Sequence, residues 1–179
     1  MSYITPEILK KFSDKFPEDE TLLQNYCDAA EQIIEEYLGY SPELKEYETS
    51  ERGIGSLYFA LEAKPVVEVT AITADSENVD LSRVKIVKGT NYIAFDDDSL
   101  FARGVKYAVQ YSAGFETIPA PIVTAGLQIA SLLWESAGGN VSVTSTSFID
   151  SASRTFQSFK PDRFLEPNIG KYKLAKVDY

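Results

Sequence analysis

The sequence contains no histidine and only one cysteine in 179 residues. Without imidazole there is no histidine base, no Cys-His or Ser-His nucleophile pair and no histidine metal ligand. A single thiol, Cys27, can form neither an internal disulfide nor a thiolate metal cluster. It falls within an apolar helical pattern and reads as a small buried hydrophobe. Basic residues are also scarce: 17 Lys and Arg stand against 27 Asp and Glu, a net charge of −10. That balance argues against wrapping DNA by phosphate neutralisation, though not against DNA passing nearby without adhering. No apolar run approaches the roughly 20 residues of a membrane span. The N-terminal Met-Ser-Tyr-Ile-Thr-Pro-Glu lacks the regions of a signal peptide, so we expect a protein made and used without export. The remaining composition, 44% hydrophobic and 25% charged, is that of a folded chain with a real core.

What is present is organised around residues 105–137. Val105, Tyr107, Val109 and Tyr111 alternate with Lys106, Ala108 and Gln110, the pattern of a strand. Gly114 breaks it, and Pro119 and Pro121 stand where a helix begins, because the first helical N–H groups have no internal partner to lose. Ile122, Gly126, Ile129, Leu133 and Ala137 then recur at helical spacing up to Gly138-Gly139. Upstream, Thr5-Pro6-Glu7 reads as a cap, a first-turn proline and a first-turn acid. The spacing of Leu22, Leu23, Tyr26, Cys27, Ala30, Ile33, Ile34, Tyr37 and Leu38 predicts a helix over 19–38, closed by Gly39.

Between them the period is two. Strands are expected at 57–61, 66–72, 84–87, 92–95 and 105–111, with a hairpin turn at Lys88-Gly89-Thr90-Asn91. Short sequential strands indicate an antiparallel meander and not βαβ units. Residues 141–149, rich in Ser and Thr, suit an edge strand or an extended arm. Pro161 to Leu165 suits a short final helix ending before Pro167, and 168–179 a mobile tail unless it docks on a partner. The expectation is a single α+β domain over 1–179. In it, two long helices plus short helices form a bundle (about 5–39 and 119–137), with an inserted antiparallel β-meander (about 53–111) and a C-terminal extension (138–179). The helices 19–38 and 119–137 are expected to pack on each other, because their apolar stripes must be buried.

Each polar cluster has a plain alternative. Asp96-Asp97-Asp98 suits a hard cation, but adjacent acids on a turn rarely converge, so a solvated turn is the better reading. Glu31, Glu35 and Glu36 suggest acid–base chemistry but lie opposite the apolar stripe, on a solvated face. Gly53-Ile54-Gly55 is too short for a phosphate loop and reads as a flexible turn. Ser142 to Ser147 offers hydroxyls with no histidine available and no lysine nearby in sequence, which leaves open only a Ser–Lys pair built through the fold. Trp134 is a core residue or an interface anchor, since Trp is enriched at binding hot spots. We assign no catalytic residue, no cofactor and no metal.

One order of parts stands out. Tyr37-Leu38-Gly39-Tyr40 ends the first long helix. Lys64-Pro65-Val66-Val67-Glu68-Val69-Thr70-Ala71-Ile72 follows, then Tyr111-Ser112-Ala113-Gly114-Phe115, then Ile118-Pro119-Ala120-Pro121-Ile122 before the apolar helix. Over roughly 19–137 this resembles the head–tail connector proteins of tailed bacteriophages, also called head-completion or adaptor proteins. The resemblance implies a structural protein that performs no chemistry. Such proteins form a ring, usually of about a dozen copies, under the portal. The ring extends the DNA channel and presents a surface to the next head-completion or tail protein. The location implied is the virion, with the host cytoplasm during assembly, and DNA passes without specific binding. On this reading the subunit is a monomer or weak oligomer alone, because −10 per copy opposes ring closure. The β insertion and the corner 112–121 are then the expected contact regions, with Phe115, Glu116, Ile118 and Trp134 as candidate interface residues. The alternatives are another ring-forming tail-completion protein, or a small hydrolase or ligand-binding domain using carboxylates and serines.

Overall fold

A computed structural model describes residues 2–13, 16–138, 145–147, 153–155 and 161–174. It contains helices and antiparallel sheets, and the chain divides into two compact units: Met1–Tyr37 with Pro119–Lys171, and Leu38–Ile118 with Tyr172–Tyr179.

The first unit is helical. α1 (Pro6–Phe12) starts as its sequence dictates: Thr5 caps it by accepting from the Ile8 N–H, with Pro6 in the first turn. α2 (Glu20–Leu38) is capped by Asp19, whose carboxylate accepts from the Leu22 N–H at 3.0 Å. It buries Leu23, Cys27, Ala30, Ile34 and Tyr37. α3 (Ala120–Gly138) buries Ile122, Ala125, Leu127, Ile129 and Ala130. Gly126 explains a close approach: a Cβ there would lie 2.0 Å from Ile4 Cδ1 and 3.1 Å from Ile34 Cδ1. Tyr26 of α2 meets Trp134 of α3 edge-on, with centroids 5.7 Å apart. α4 (Pro161–Ile169) runs through Pro167, where the sequence suggested a stop. The proline loses one helical bond, but Leu165 and Ile169, four apart, are both fully buried, and burial outweighs that loss.

The second unit carries two antiparallel sheets. Its strands are β1 (Lys45–Arg52), β2 (Tyr58–Ala60), β3 (Val66–Ala74), β4 (Glu77–Asn78), β5 (Val84–Ile86), β6 (Tyr92–Phe95) and β7 (Lys106–Ala113). One sheet has the order β1-β7-β3-β4, the other β2-β6-β5. The pairing is antiparallel as expected, but it is not a meander. β7 lies between β1 and β3, in register with β1 from Lys45↔Ala113 to Arg52↔Lys106. β1 reads Lys-Glu-Tyr-Glu-Thr-Ser-Glu-Arg, too polar to announce a strand, and begins before the expected insertion at 53. Its inward positions are Tyr47, stacked on Tyr111 at 5.6 Å, and the buried Thr49. Tyr107, Val109, Tyr111 and Ala113 of β7 are buried, as their alternation requires. Phe59, Phe95, Phe101 and Tyr107 form an aromatic cluster, with Phe95 and Phe101 stacked at 4.5 Å. Further on, backbone pairing joins β8 (Ser145–Ser147) to β9 (Ser153–Thr155).

Candidate interface region and family membership

The turn after β7 is fixed by backbone contacts. Gly114 has φ +116°, and a Cβ there would lie 2.2 Å from the Glu43 carbonyl oxygen, so only glycine fits. The Gly114 N–H donates to the Pro65 carbonyl and the Phe115 N–H to the Pro42 carbonyl. Phe115 is half-buried, its ring 5.9 Å from Tyr172 in an edge contact. Glu116 and Thr117 are exposed and Ile118 is half-buried. Trp134 belongs to the other unit and is half-buried against Tyr26 and Phe16. The structure therefore gathers Phe115, Glu116 and Ile118 on one short segment and gives Trp134 separate partners within the chain.

Nothing in the residue pattern marks Tyr172 as the partner of Phe115. The stretch 172–174, expected to be a mobile tail, is tied down. Tyr40 OH donates to the Tyr172 carbonyl at 2.9 Å, Lys64 Nζ to the Lys173 carbonyl at 2.5 Å, and the Leu174 N–H to the Leu38 carbonyl. Burial lowers the Lys64 pKa and pushes the Tyr40 hydroxyl well above its ordinary value, with Tyr47 and Tyr172 adding to the latter. The acceptors here are backbone carbonyls, which carry no side-chain signature.

The remaining clusters resolve into local roles. Asp97 accepts from the Ser99 N–H and pairs with Arg83 at 2.9 Å, while Asp98 pairs with Lys85 at 3.3 Å. The Ser99 bonds and Arg83 hold the Asp97 carboxyl at about 2. Among the described residues, no group of three or more His, Cys, Asp or Glu could hold a metal ion. Glu31 is not simply on a solvated face: it accepts from the Ile4 N–H at 2.7 Å and Ser2 Oγ at 2.8 Å, anchoring the N-terminal segment. Gly53 is not a flexible turn. It is buried, and a Cβ would lie 2.3 Å from the Ala102 carbonyl oxygen. Burial, followed by the charges of Asp28 and Glu31, pushes the Cys27 thiol up to about 11, which suits a packed residue and not a nucleophile. Ser142, Val143 and Thr144 lie outside the described residues. No described helix is long and apolar enough to cross a membrane.

Comparison with solved structures shows where this fold recurs. A chain in the neck of an empty gene transfer agent particle, reconstructed with C6 symmetry, is similar with a TM-score of 0.64 at 15% identity, over 99% of this chain and 93% of that one. A chain in the neck of the native particle with C12 symmetry has a TM-score of 0.58 at 16% identity, covering 88% and 85%. A chain of the native gene transfer agent virion has 0.59 at 14%, covering 90% and 81%. No match is found among curated proteins. Residues 4–144 match the family model described as head completion protein. The chain belongs to the head completion protein family.

Proposed function

We infer that this chain is a structural subunit of the head–tail connector of a phage or prophage particle. It completes the head by forming a ring under the portal that extends the DNA channel toward the tail. The observation that carries this reading is the family match over residues 4–144, which spans α1, α2, β1 to β7 and α3. The C6 and C12 neck particles that share the fold support a ring, and their place in a virion neck supports a virion location. In this reading α2 and α3 are the bundle that keeps each subunit rigid, and residues 1–179 act as one domain. Phe115, Glu116 and Ile118 would face a neighbouring subunit, the portal or the next tail-side protein. A net charge of −10 suits a channel wall from which DNA is repelled and along which it slides.

The test is genetic and visual. Particles made without this chain are expected to show heads and tails that do not join, with joining restored when the chain is supplied. Normal joined particles lacking the chain would overturn the reading.

A further inference from the structure

We propose that the corner built by Arg52, Arg103 and Lys106 docks a second copy of this chain, receiving the acidic outer ridge of its α2 at Asp28 and Glu36. This rests on the ring reading above and names one contact within the ring.

The corner is held together by the backbone. Arg52 and Lys106 are register partners at the ends of β1 and β7. The Gly53 N–H donates to the Val105 carbonyl and the Gly104 N–H to the Gly53 carbonyl. Arg52 Nη1 donates to the Gly104 carbonyl at 2.6 Å, and Arg103 Nε to the Ile54 carbonyl at 3.4 Å. All three cations are exposed, and among the described residues none is ion-paired to a carboxylate. Glu51 adjoins Arg52 in sequence, and Asp75 accepts from the Lys106 backbone N–H, so the corner keeps a modest positive excess. Lys10, Lys45, Arg83 and Lys85 differ in that each already has an acid partner. Beside the corner lies a hollow of about 250 Å³, with Arg52 and Glu51 among its lining and Phe59 and Phe101 beneath. Ile54 and Tyr58 there are half exposed, at 50% and 52%. Arginine beside exposed aromatic surface is characteristic of a protein interface.

The complement is on α2, which carries five carboxylates and no Lys or Arg in 19 residues. Glu20 is paired with Lys10, and Glu31 holds Ser2 and Ile4. Asp28 and Glu36 are exposed and braced by Gln24 and Gln32, one turn earlier, at 2.7 and 3.1 Å. They stand two turns apart, roughly 12 Å along the axis, with Glu35 beside them. Guanidinium forks recognise carboxylates in this way. A ring needs two different surfaces that match, which a cationic corner and an acidic ridge provide. Three cations next to Glu51 and Asp75, on a chain of −10, are too few to track nucleic-acid phosphates.

The experiment uses the full chain, alone and with portal. Unlabelled and ¹⁵N-labelled copies are mixed and treated with a carbodiimide, which joins an amine directly to a touching carboxylate. The expected product is a mixed-isotope cross-link from Lys106 to Asp28 or Glu36. In light scattering, R103E/K106E should weaken self-association at least about tenfold. D28K/E36K moves the net charge from −10 to −6, since two acids become two bases. If net charge alone governed assembly it would associate more tightly. We expect it to associate more weakly, and a mixture of the two variants to recover. Circular dichroism checks folding, and if a reversed variant misfolds the wild-type cross-link decides. Wild-type oligomers whose cross-links omit Lys106, or tighter association of D28K/E36K, overturn this contact and leave the ring reading standing. A wild-type chain that stays monomeric even with portal overturns both. Duplex DNA binding that is lost in R103E/K106E reassigns the corner to nucleic acid.

Discussion

Gly114 shows how much one position can constrain. Its φ of +116° is strained for any side chain, and the Glu43 carbonyl occupies the space a Cβ would need. Gly114→Ala should therefore cost more than about 2 kcal/mol in denaturant unfolding, because backbone and not a movable side chain opposes it. An Ala variant within 0.5 kcal/mol of wild type, on the order of a neutral surface change, would contradict this. Tyr111 is the second case. Its hydroxyl accepts from the Glu62 N–H at 3.0 Å and lies 3.2 Å from Thr49 Oγ1, in a buried setting. Tyr111→Phe leaves the Glu62 N–H without that acceptor and should destabilise by about 1–3 kcal/mol. Thr49→Val in the Tyr111→Phe background should add little, since the shared bond is already gone. Phe115 belongs here too. Packed on Tyr172, it cannot be altered without disturbing the chain's own contacts, so Phe115→Asp is expected to lower stability as well as assembly.

At the scale of elements, burial decides more than propensity. α4 keeps its helix through Pro167 because Leu165 and Ile169 are fully enclosed. Leu165→Ala should cost about 2–5 kcal/mol, the range for a buried leucine. Leu133, on the predicted core stripe of α3, is only half-buried, so Leu133→Ala should cost clearly less. Equal losses in thermal unfolding would show that this ranking by burial is wrong. β1 makes the complementary point. Its charged sequence contains one aromatic, Tyr47, and it becomes a strand because β7 offers eight register partners. Pairing across some 60 residues of chain leaves no local trace.

For the whole molecule the acid–base balance has a definite sign. Cys27, Tyr40 and Tyr111 all have folded pKa values raised above their ordinary values of 9.0, 10.0 and 10.0, chiefly by burial. Above those values the folded chain holds protons that the unfolded chain has lost, so stability falls as pH rises. The contribution is intact below about pH 9 and is lost through the thiol and phenol range, with a slope of at most about 1.4 kcal/mol per pH unit for each group. Unfolding free energies from pH 8 to 11 should show this decline, and Cys27→Ala should flatten it first, between 9 and about 11. A flat profile would refute the assignment. The charge of −10 acts on assembly in a separate way. In the proposed ring it opposes bringing copies together, so local complements and a template are expected to be needed.

The periodic signals were local, and they were legible. The cap at Thr5, the helices over 20–38 and 120–138, the β5–β6 hairpin and the inward face of β7 all follow from side-chain spacing and turn chemistry within a few residues. The order Tyr37-Leu38-Gly39-Tyr40, Tyr111 to Phe115, Ile118 to Ile122 was enough to point to the family. Only tertiary structure decided which strands are neighbours, that Glu31 holds the Ile4 N–H, and that 172–174 is anchored at Tyr40, Lys64 and Leu38. The same holds for Arg52, Arg103 and Lys106, gathered at one corner although Arg52 is 51 and 54 residues from the other two in the chain. Those contacts join backbone groups or charged side chains distant in sequence. A backbone carbonyl is identical at every residue, so the sequence cannot show which one a lysine or tyrosine will reach.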